Sequence, residues 1–332
     1  MIFRRHKLLK VAAKLIESVR LIGLAALSVF AAVCLSIAAT PKIAQAGYTY
    51  NPNDFATSVI SSTVPSSTSP YSNPTAILDQ PPLTFNNSSN PIVQQSEMAK
   101  IVEAPVNYDL NGNPVLTVLP NYPTTTQITV QMGSPITHNP AHPYGDDLIV
   151  FGNSFYLGNG SVTDSTNLNT YTVTGTIFSH PVQVSVSPDD INWFSFPVTA
   201  ALQPYNAYQW SDATASWTTN ELNPTVPLNP TVYTTNFAGD TASQILDAYG
   251  PSAGGTAFNL DNALDPNGNT LAQNGFTSID YVRVSSTASG YSVISGISAV
   301  SLPSAGIIWV PEPANLILPA LTGLILLRPR RI

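Results

Sequence analysis

The chain has 332 residues, with 12 Lys and Arg against 19 Asp and Glu, and the two signs are segregated along it. Seven cations precede Gly47 and three follow Pro313; the stretch between holds 17 carboxylates and only Lys100 and Arg283, about −15 in all. Such a stretch repels nucleic acid and anionic lipid, which excludes both as partners of the body. Its prolines exclude long helices, and the lone Cys34 leaves no disulfide or thiol chemistry beyond Gly47.

Arg4, Arg5, Lys7, Lys10, Lys14 and Arg20 form a basic region ahead of an apolar run from Leu21 to Ala39. Ala44 and Ala46 then supply the small residues of a cleavage site before Gly47. Residues 1–46 are therefore expected to be a cleaved signal peptide built on a signal helix. Val33 stands where a lipoprotein signal needs a small residue, so Cys34 is expected to leave unlipidated. Residues 47–73, rich in Ser, Thr and Pro, read as a flexible leader.

From 74 to 301 the pattern is all-β. Strands are expected at Pro114–Leu119, at Gln127–Met132 with clean alternation, and at Asp147–Phe151, a continuous apolar run suited to burial. Tyr171–Phe178 is another. Val182–Val186 and Trp193–Phe196 flank the turn signal Pro188-Asp189-Asp190 and read as a hairpin, with Trp193 in the core. Asp240–Tyr249 suits one short helix ended by Pro251. Ser278–Val284 and Tyr291–Val300 are the final strands. Residues 198–236, rich in Pro and aromatics, are expected to run over one end of the fold. The expected architecture is a single antiparallel β-sandwich, jelly-roll-like, with long loops.

Asp146 and Asp147 precede a buried strand, with His138 and His142 in the Pro-rich loop before them. With Asn153, the two carboxylates could begin an oxygen shell for Ca²⁺, the one cofactor the residues suggest; the competing reading is a solvated loop. A transition metal on the two histidines is disfavoured, because a Pro-broken loop does not align them on a helical face. Asp-x-Asn-Gly-Asn occurs at Asp109–Asn113 and Asp265–Asn269. Pro114 and Thr270 stand where a Ca²⁺ loop needs glycine, and Asn-Gly favours turns instead. Tyr205, Tyr208, Trp210 and Trp217 could stack on sugar rings, or could form a buried aromatic lid. Arg283 is expected to pair with a carboxylate such as Asp280. No catalytic residues are assigned. The chain lacks a Gly-x-Ser-x-Gly elbow, a His-Glu-x-x-His pair and a phosphate loop, and Glu97, Glu103 and Glu221 are the only glutamates of the body.

After a linker at 302–310, residues 311–332 begin with Pro311-Glu312-Pro313, continue as an apolar run from Ala314 to Leu327, and finish with Arg328, Arg330 and Arg331 around Pro329. Fourteen helical residues span about 21 Å, short of a hydrocarbon core about 30 Å thick, and Pro319 weakens the helix. The segment is a marginal membrane anchor with its arginines on the cytoplasmic side. Pro-Glu-Pro, a short apolar helix and an arginine cluster, in that order, resemble the PEP-CTERM sorting signal of exported bacterial proteins. The resemblance implies an exosortase as processing partner, transient inner-membrane anchoring, and release to the cell surface or extracellular matrix.

A second resemblance covers residues 74–300. Ala76–Pro81, Gln127–Ile136, Gly145–Phe155, Val182–Pro197, Gly254–Leu260 and Ile279–Val284 follow, in order, the motifs of a β-sandwich module of secreted bacterial surface proteins. Gly152, Thr256 and Asn259 replace acids of that pattern, so a cation site held by those acids in relatives is not expected here. The chain thus reads as a non-enzymatic structural or glycan-binding component of an exopolysaccharide layer. The alternative is a secreted carbohydrate-active enzyme with a sorting tail.

Overall fold

Sixteen strands form among the described residues, and every pairing among them is antiparallel. The computed structural model describes residues 51–64, 73–79, 81, 101–102, 107–108, 114–115, 117–119, 125–162, 166–197, 200–287 and 292–301. The strands are β1 (Ala56–Ser62), β2 (Asn107–Tyr108), β3 (Pro114–Val115), β4 (Thr117–Leu119), β5 (Gln127–Thr137), β6 (Leu148–Gly152), β7 (Phe155–Gly158) and β8 (Val173–Phe178). They continue as β9 (Pro181–Ser187), β10 (Phe194–Ser195), β11 (Ala200–Ala201), β12 (Tyr208–Ser211), β13 (Ser216–Glu221), β14 (Thr256–Phe258), β15 (Ser278–Ser286) and β16 (Ser292–Ala299). Six strands form one sheet in the order β1-β5-β15-β9-β10, with β11 also on β9. Four form a second, β14-β6-β16-β4, and three two-stranded ribbons complete the set.

Period-two alternation explains which faces are buried. Ile128 and Val130 on β5, Val282 and Val284 on β15, and Val184 and Val186 on β9 point to one side of the larger sheet. They share a hydrophobic cluster with Leu148 and Val150 of β6 and Ile294 and Ile297 of β16 in the smaller sheet. β6 is buried throughout, as its unbroken apolar run requires. The helix Ala242–Tyr249 is fixed by a capping box between Thr241 and Gln244 and ends at Gly250. Its buried Ala242, Ile245, Leu246 and Tyr249 form one helical stripe in a second cluster with Trp210 and Val232.

Most strand expectations coincide with these elements, and three details differ. Within the stretch read as a flexible leader, Ala56–Ser62 is an edge strand paired to β5, with Ala56 buried and Val59 packed on the main cluster. Its β-branched Thr57, Val59 and Ile60 were hidden by the surrounding Ser and Pro. β5 runs on to Thr137, five residues past Met132. Trp193 is not core: alternation buries Phe194 and Phe196, leaving Trp193 half-buried at the surface. Residues 198–236 contribute β11 to β13 and a short helix, Pro230–Thr234. The segment expected to be a signal peptide, with Ala44 and Ala46, and the tail from 302 lie outside the described residues. So does Asp109–Asn113, although β2 and β3 on either side of it pair with Tyr108 opposite Pro114.

Gly152 closes β6 where no side chain fits. A Cβ there would meet Leu202 Cδ1 at 2.6 Å and the Val293 carbonyl oxygen at 2.8 Å. Gly152→Ala is expected to destabilise the fold by about 1–3 kcal/mol through overpacking, read as a lower midpoint in denaturant unfolding. Gly268→Ala meets no atom within 4 Å but keeps a φ of 84°, so its cost is conformational alone and is expected to be smaller.

Candidate functional site

The loop joining β5 to β6 carries His138-Asn139-Pro140-Ala141-His142-Pro143-Tyr144-Gly145-Asp146-Asp147. It folds by local bonds. Asn139 Oδ1 accepts from Ala141 N at 3.0 Å, and the His142 amide donates to the Asn139 carbonyl at 2.9 Å. Tyr144 and Gly145 then take φ of 61° and 75° in succession, reversing the chain into β6. Tyr144 thereby sits in a region unfavourable for a bulky side chain.

Asp147 is completely buried, and each of its oxygens accepts two hydrogen bonds. Oδ1 faces His142 Nδ1 at 3.0 Å and accepts from Asn139 N at 3.0 Å. Oδ2 faces His138 Nδ1 at 2.9 Å and accepts from Leu260 N at 3.0 Å. A carboxylate only accepts, so both imidazoles donate from Nδ1. The backbone of Asp147 adds two ties: its amide donates to the Phe258 carbonyl, and its own carbonyl accepts from Val300 N. Across the loop, His138 Nε2 lies 3.3 Å from Asp261 Oδ2. Asp261 is placed by Asn259, whose side chain caps the turn that begins at Leu260.

These contacts correct the Ca²⁺ expectation. The roughly four lone-pair positions of the Asp147 carboxylate are occupied by N–H donors, leaving none for a cation. Asn153 lies six residues away, beyond the other end of β6, at a rise near 3.3 Å per residue about 20 Å distant. Among the described residues, no group of three or more His, Cys, Asp or Glu is arranged to hold a metal ion. Asp265–Asn269 is a turn, as expected from Asn-Gly: Asp265 Oδ1 accepts from Asn267 N and Asn269 N, both at 2.8 Å.

Asp146, next in sequence, has a different environment. Burial, then the neighbouring charge of Asp147, raises its pKa from 3.8 to about 6. His138 is also raised, above 6.5, chiefly by its hydrogen bond to Asp147 and against the opposing effect of burial. Two adjacent carboxyls thus have opposite surroundings, one saturated with donors and one merely desolvated.

The aromatic residues proposed for sugar stacking are mostly core. Tyr205 is fully buried edge-to-face against Phe151 at 5.5 Å, and Tyr208 and Trp210 are buried too. Trp210 opposes Trp217 across β12 and β13 with ring centroids 5.2 Å apart, and its Nε1 donates to Asn169 Oδ1 at 2.6 Å. Only Trp217 is partly exposed. Burial won because four large rings in one segment gain more from packing together than from facing water.

Arg283 does not pair with Asp280. Its guanidinium carbon stands 3.5 Å from the Trp193 ring centroid, its Nε donates to Thr129 Oγ1 at 3.1 Å, and Nη2 is 3.8 Å from Asp190 Oδ1. Sequence reasoning missed Asp261, Leu260 and this stack. The Asn259 cap was the only local signal of the first two. No family model matches the chain, and no curated protein matches it.

His138 stabilises the fold fully below its unfolded pKa of about 6.5, and that contribution is lost as pH rises through its raised folded value. Asp146 keeps a proton in the fold that the unfolded chain has already released, so stability also falls as pH rises from about 4 to 6. The thermal midpoint is therefore expected to rise as pH is lowered from 7.5 towards 4.5. Asp146→Asn should raise stability at pH 7.5 by about 1–2 kcal/mol, discounting for partial exposure, and flatten the profile between pH 4 and 6. Asp147→Asn should instead cost about 3 kcal/mol or more by breaking a buried, fully bonded carboxylate, and an NMR titration should show the His138 pKa falling.

Proposed function

We propose that this chain is an exported cell-surface or extracellular-matrix protein, processed by an exosortase after transient anchoring in the inner membrane through its C-terminal helix. Its body is a non-enzymatic structural or glycan-binding component of an exopolysaccharide layer. The observation that carries the reading is the ordered tail: Pro311-Glu312-Pro313, fourteen apolar residues, then Arg328, Arg330 and Arg331. The small-residue site at Ala44 and Ala46 behind a basic and apolar leader agrees with it. So does a body of antiparallel sheets carrying 17 carboxylates, suited to solubility outside the cell. We further propose that the two larger sheets are the halves of a single β-sandwich, a reading supported by the hydrophobic cluster to which both contribute.

Mass spectrometry of the form released from the producing cells tests the tail. Its C-terminal peptide is expected to end near Pro313, and a released form still containing Leu316 to Ile332 would sink the sorting proposal. Co-sedimentation of the full chain, in mild detergent, with the producer's insoluble exopolysaccharide tests the body. Pelleting is expected and should survive EDTA, because the acceptor positions of Asp147 are already taken. Depolymerisation of that polysaccharide by the chain would favour the carbohydrate-active enzyme instead.

A further inference from the structure

Asparagine precedes glycine at Asn111, Asn159, Asn267 and Asn274. Asparagine is thermally labile, and a following glycine makes it more so. The amide nitrogen of the next residue attacks the side-chain carbonyl carbon, and glycine has no Cβ to obstruct the approach. The nitrogen–Cγ bond forms, the Cγ–Nδ2 bond breaks and ammonia leaves; water then opens the succinimide to aspartate or isoaspartate. With glycine next in every case, the unfolded chain makes little distinction among the four. The fold does distinguish Asn159, Asn267 and Asn274, which are all exposed; Asn111 lies outside the described residues.

Asn274 is held at both reacting groups. Its Nδ2 donates to the Thr270 carbonyl at 3.0 Å and to Asp265 Oδ2 at 3.2 Å, and the Gly275 amide donates to the Ala272 carbonyl at 3.0 Å. At Asn267 the nucleophile is held: the Gly268 amide donates to the Asp265 carbonyl at 3.0 Å. Asn267 N and Asn269 N both donate to Asp265 Oδ1 at 2.8 Å, so attack there requires the whole turn to open. Asn159 differs. The Gly160 amide meets no acceptor among the described residues, and a Cβ on Gly160 would meet no atom within 4 Å. Its φ of 134° is one that glycine adopts readily. Its carbonyl accepts from Tyr171 Oη at 3.0 Å, a bond that leaves the attacking nitrogen free. One exposed bond restrains the electrophile, from Asn159 Nδ2 to Thr172 Oγ1 at 3.0 Å.

We propose that Asn159, immediately after β7, is a site of spontaneous deamidation, with Gly160 supplying the nucleophile and water the only co-reactant. The product adds a carboxylate to the 17 of the body. Isoaspartate also carries the backbone through the former side chain, inserting a methylene next to Gly158, which pairs with Val173. The insertion falls at the residue whose amide donates to the Thr172 carbonyl at 3.0 Å. The isoaspartate form therefore loses the last pairing of the β7–β8 ribbon.

The test incubates the full chain in mild detergent at mildly alkaline pH and follows each Asn-Gly peptide by mass spectrometry, with isoaspartate counted by enzymatic methylation. Asn159 is expected to convert faster than Asn267 and about ten-fold or more faster than Asn274, the ratio that the extra hydrogen bonds at Asn274 impose. In denaturing urea the three rates should converge. Thr172→Val removes the acceptor of the Asn159 side chain and should speed that site about three- to ten-fold, leaving Asn267 unchanged. Asp265→Ala loosens the other two sites and should speed Asn267 and Asn274 while leaving Asn159 unchanged. Conversion of Asn267 or Asn274 ahead of Asn159, or the same ratios in the folded chain and in urea, would overturn the proposal. So would a Thr172→Val chain with the parent's circular dichroism spectrum and an unchanged Asn159 rate.

Discussion

Asp147 is the point on which the middle of the structure depends. A carboxylate removed from water is costly unless donors replace the water it has lost. Here four N–H groups do so, from His138, Asn139, His142 and Leu260. Two backbone bonds from the same residue reach Phe258 and Val300. One side chain therefore gathers the exit of β5, the start of β6, the end of β14 and the chain beyond β16. The β5–β6 loop has two prolines, which cannot donate, and a pair of positive-φ residues; its shape is set by what it gives to that carboxylate.

The same solution recurs elsewhere, and composition explains why. With almost no lysine or arginine, this body cannot neutralise its carboxylates by ion pairs and uses turn amides instead. Asp189 accepts from the backbone of Ile191 and Asn192 and from the Asn192 amide; Asp265 accepts likewise from Asn267 and Asn269. Both are held below the usual carboxylate range, first by a backbone bond, from Asn192 and Asn269 respectively. Asp146 contrasts with them: burial, then the charge of Asp147, pushes its pKa up to about 6.

The aromatic residues divide by the same competition between burial and water. Tyr205, Tyr208 and Trp210 lie on segments that pack against β6 and the helix Ala242–Tyr249, and they are drawn inside. Trp193 alternates outward from the β9–β10 hairpin, where the flat guanidinium of Arg283 covers it. A half-buried ring and the one Lys or Arg among the described residues thus pack together, with the Asp190 carboxylate 3.8 Å from the guanidinium.

Much of this was legible in the sequence. The unbroken apolar run of β6, the alternation in β5 and β15, the Pro-Asp-Asp turn of the β9–β10 hairpin and the capped helix before Pro251 are local patterns, and local patterns report secondary structure and the all-β class directly. The segregation of charge and the order of the two termini are also properties of sequence alone. Which strands become neighbours is not, since β15 sits between β5 and β9 only because three separate apolar faces must be buried together. Nor could the sequence show that Asp147 would be saturated by donors while Asp146 would not. Leu260 and Asp261 lie more than a hundred positions away, and only long-range packing brings the first to the carboxylate and the second to His138. Tertiary structure likewise turned Trp193 from presumed core into the support of Arg283, because alternation assigns a residue to one of two faces and burial decides which of them meets water.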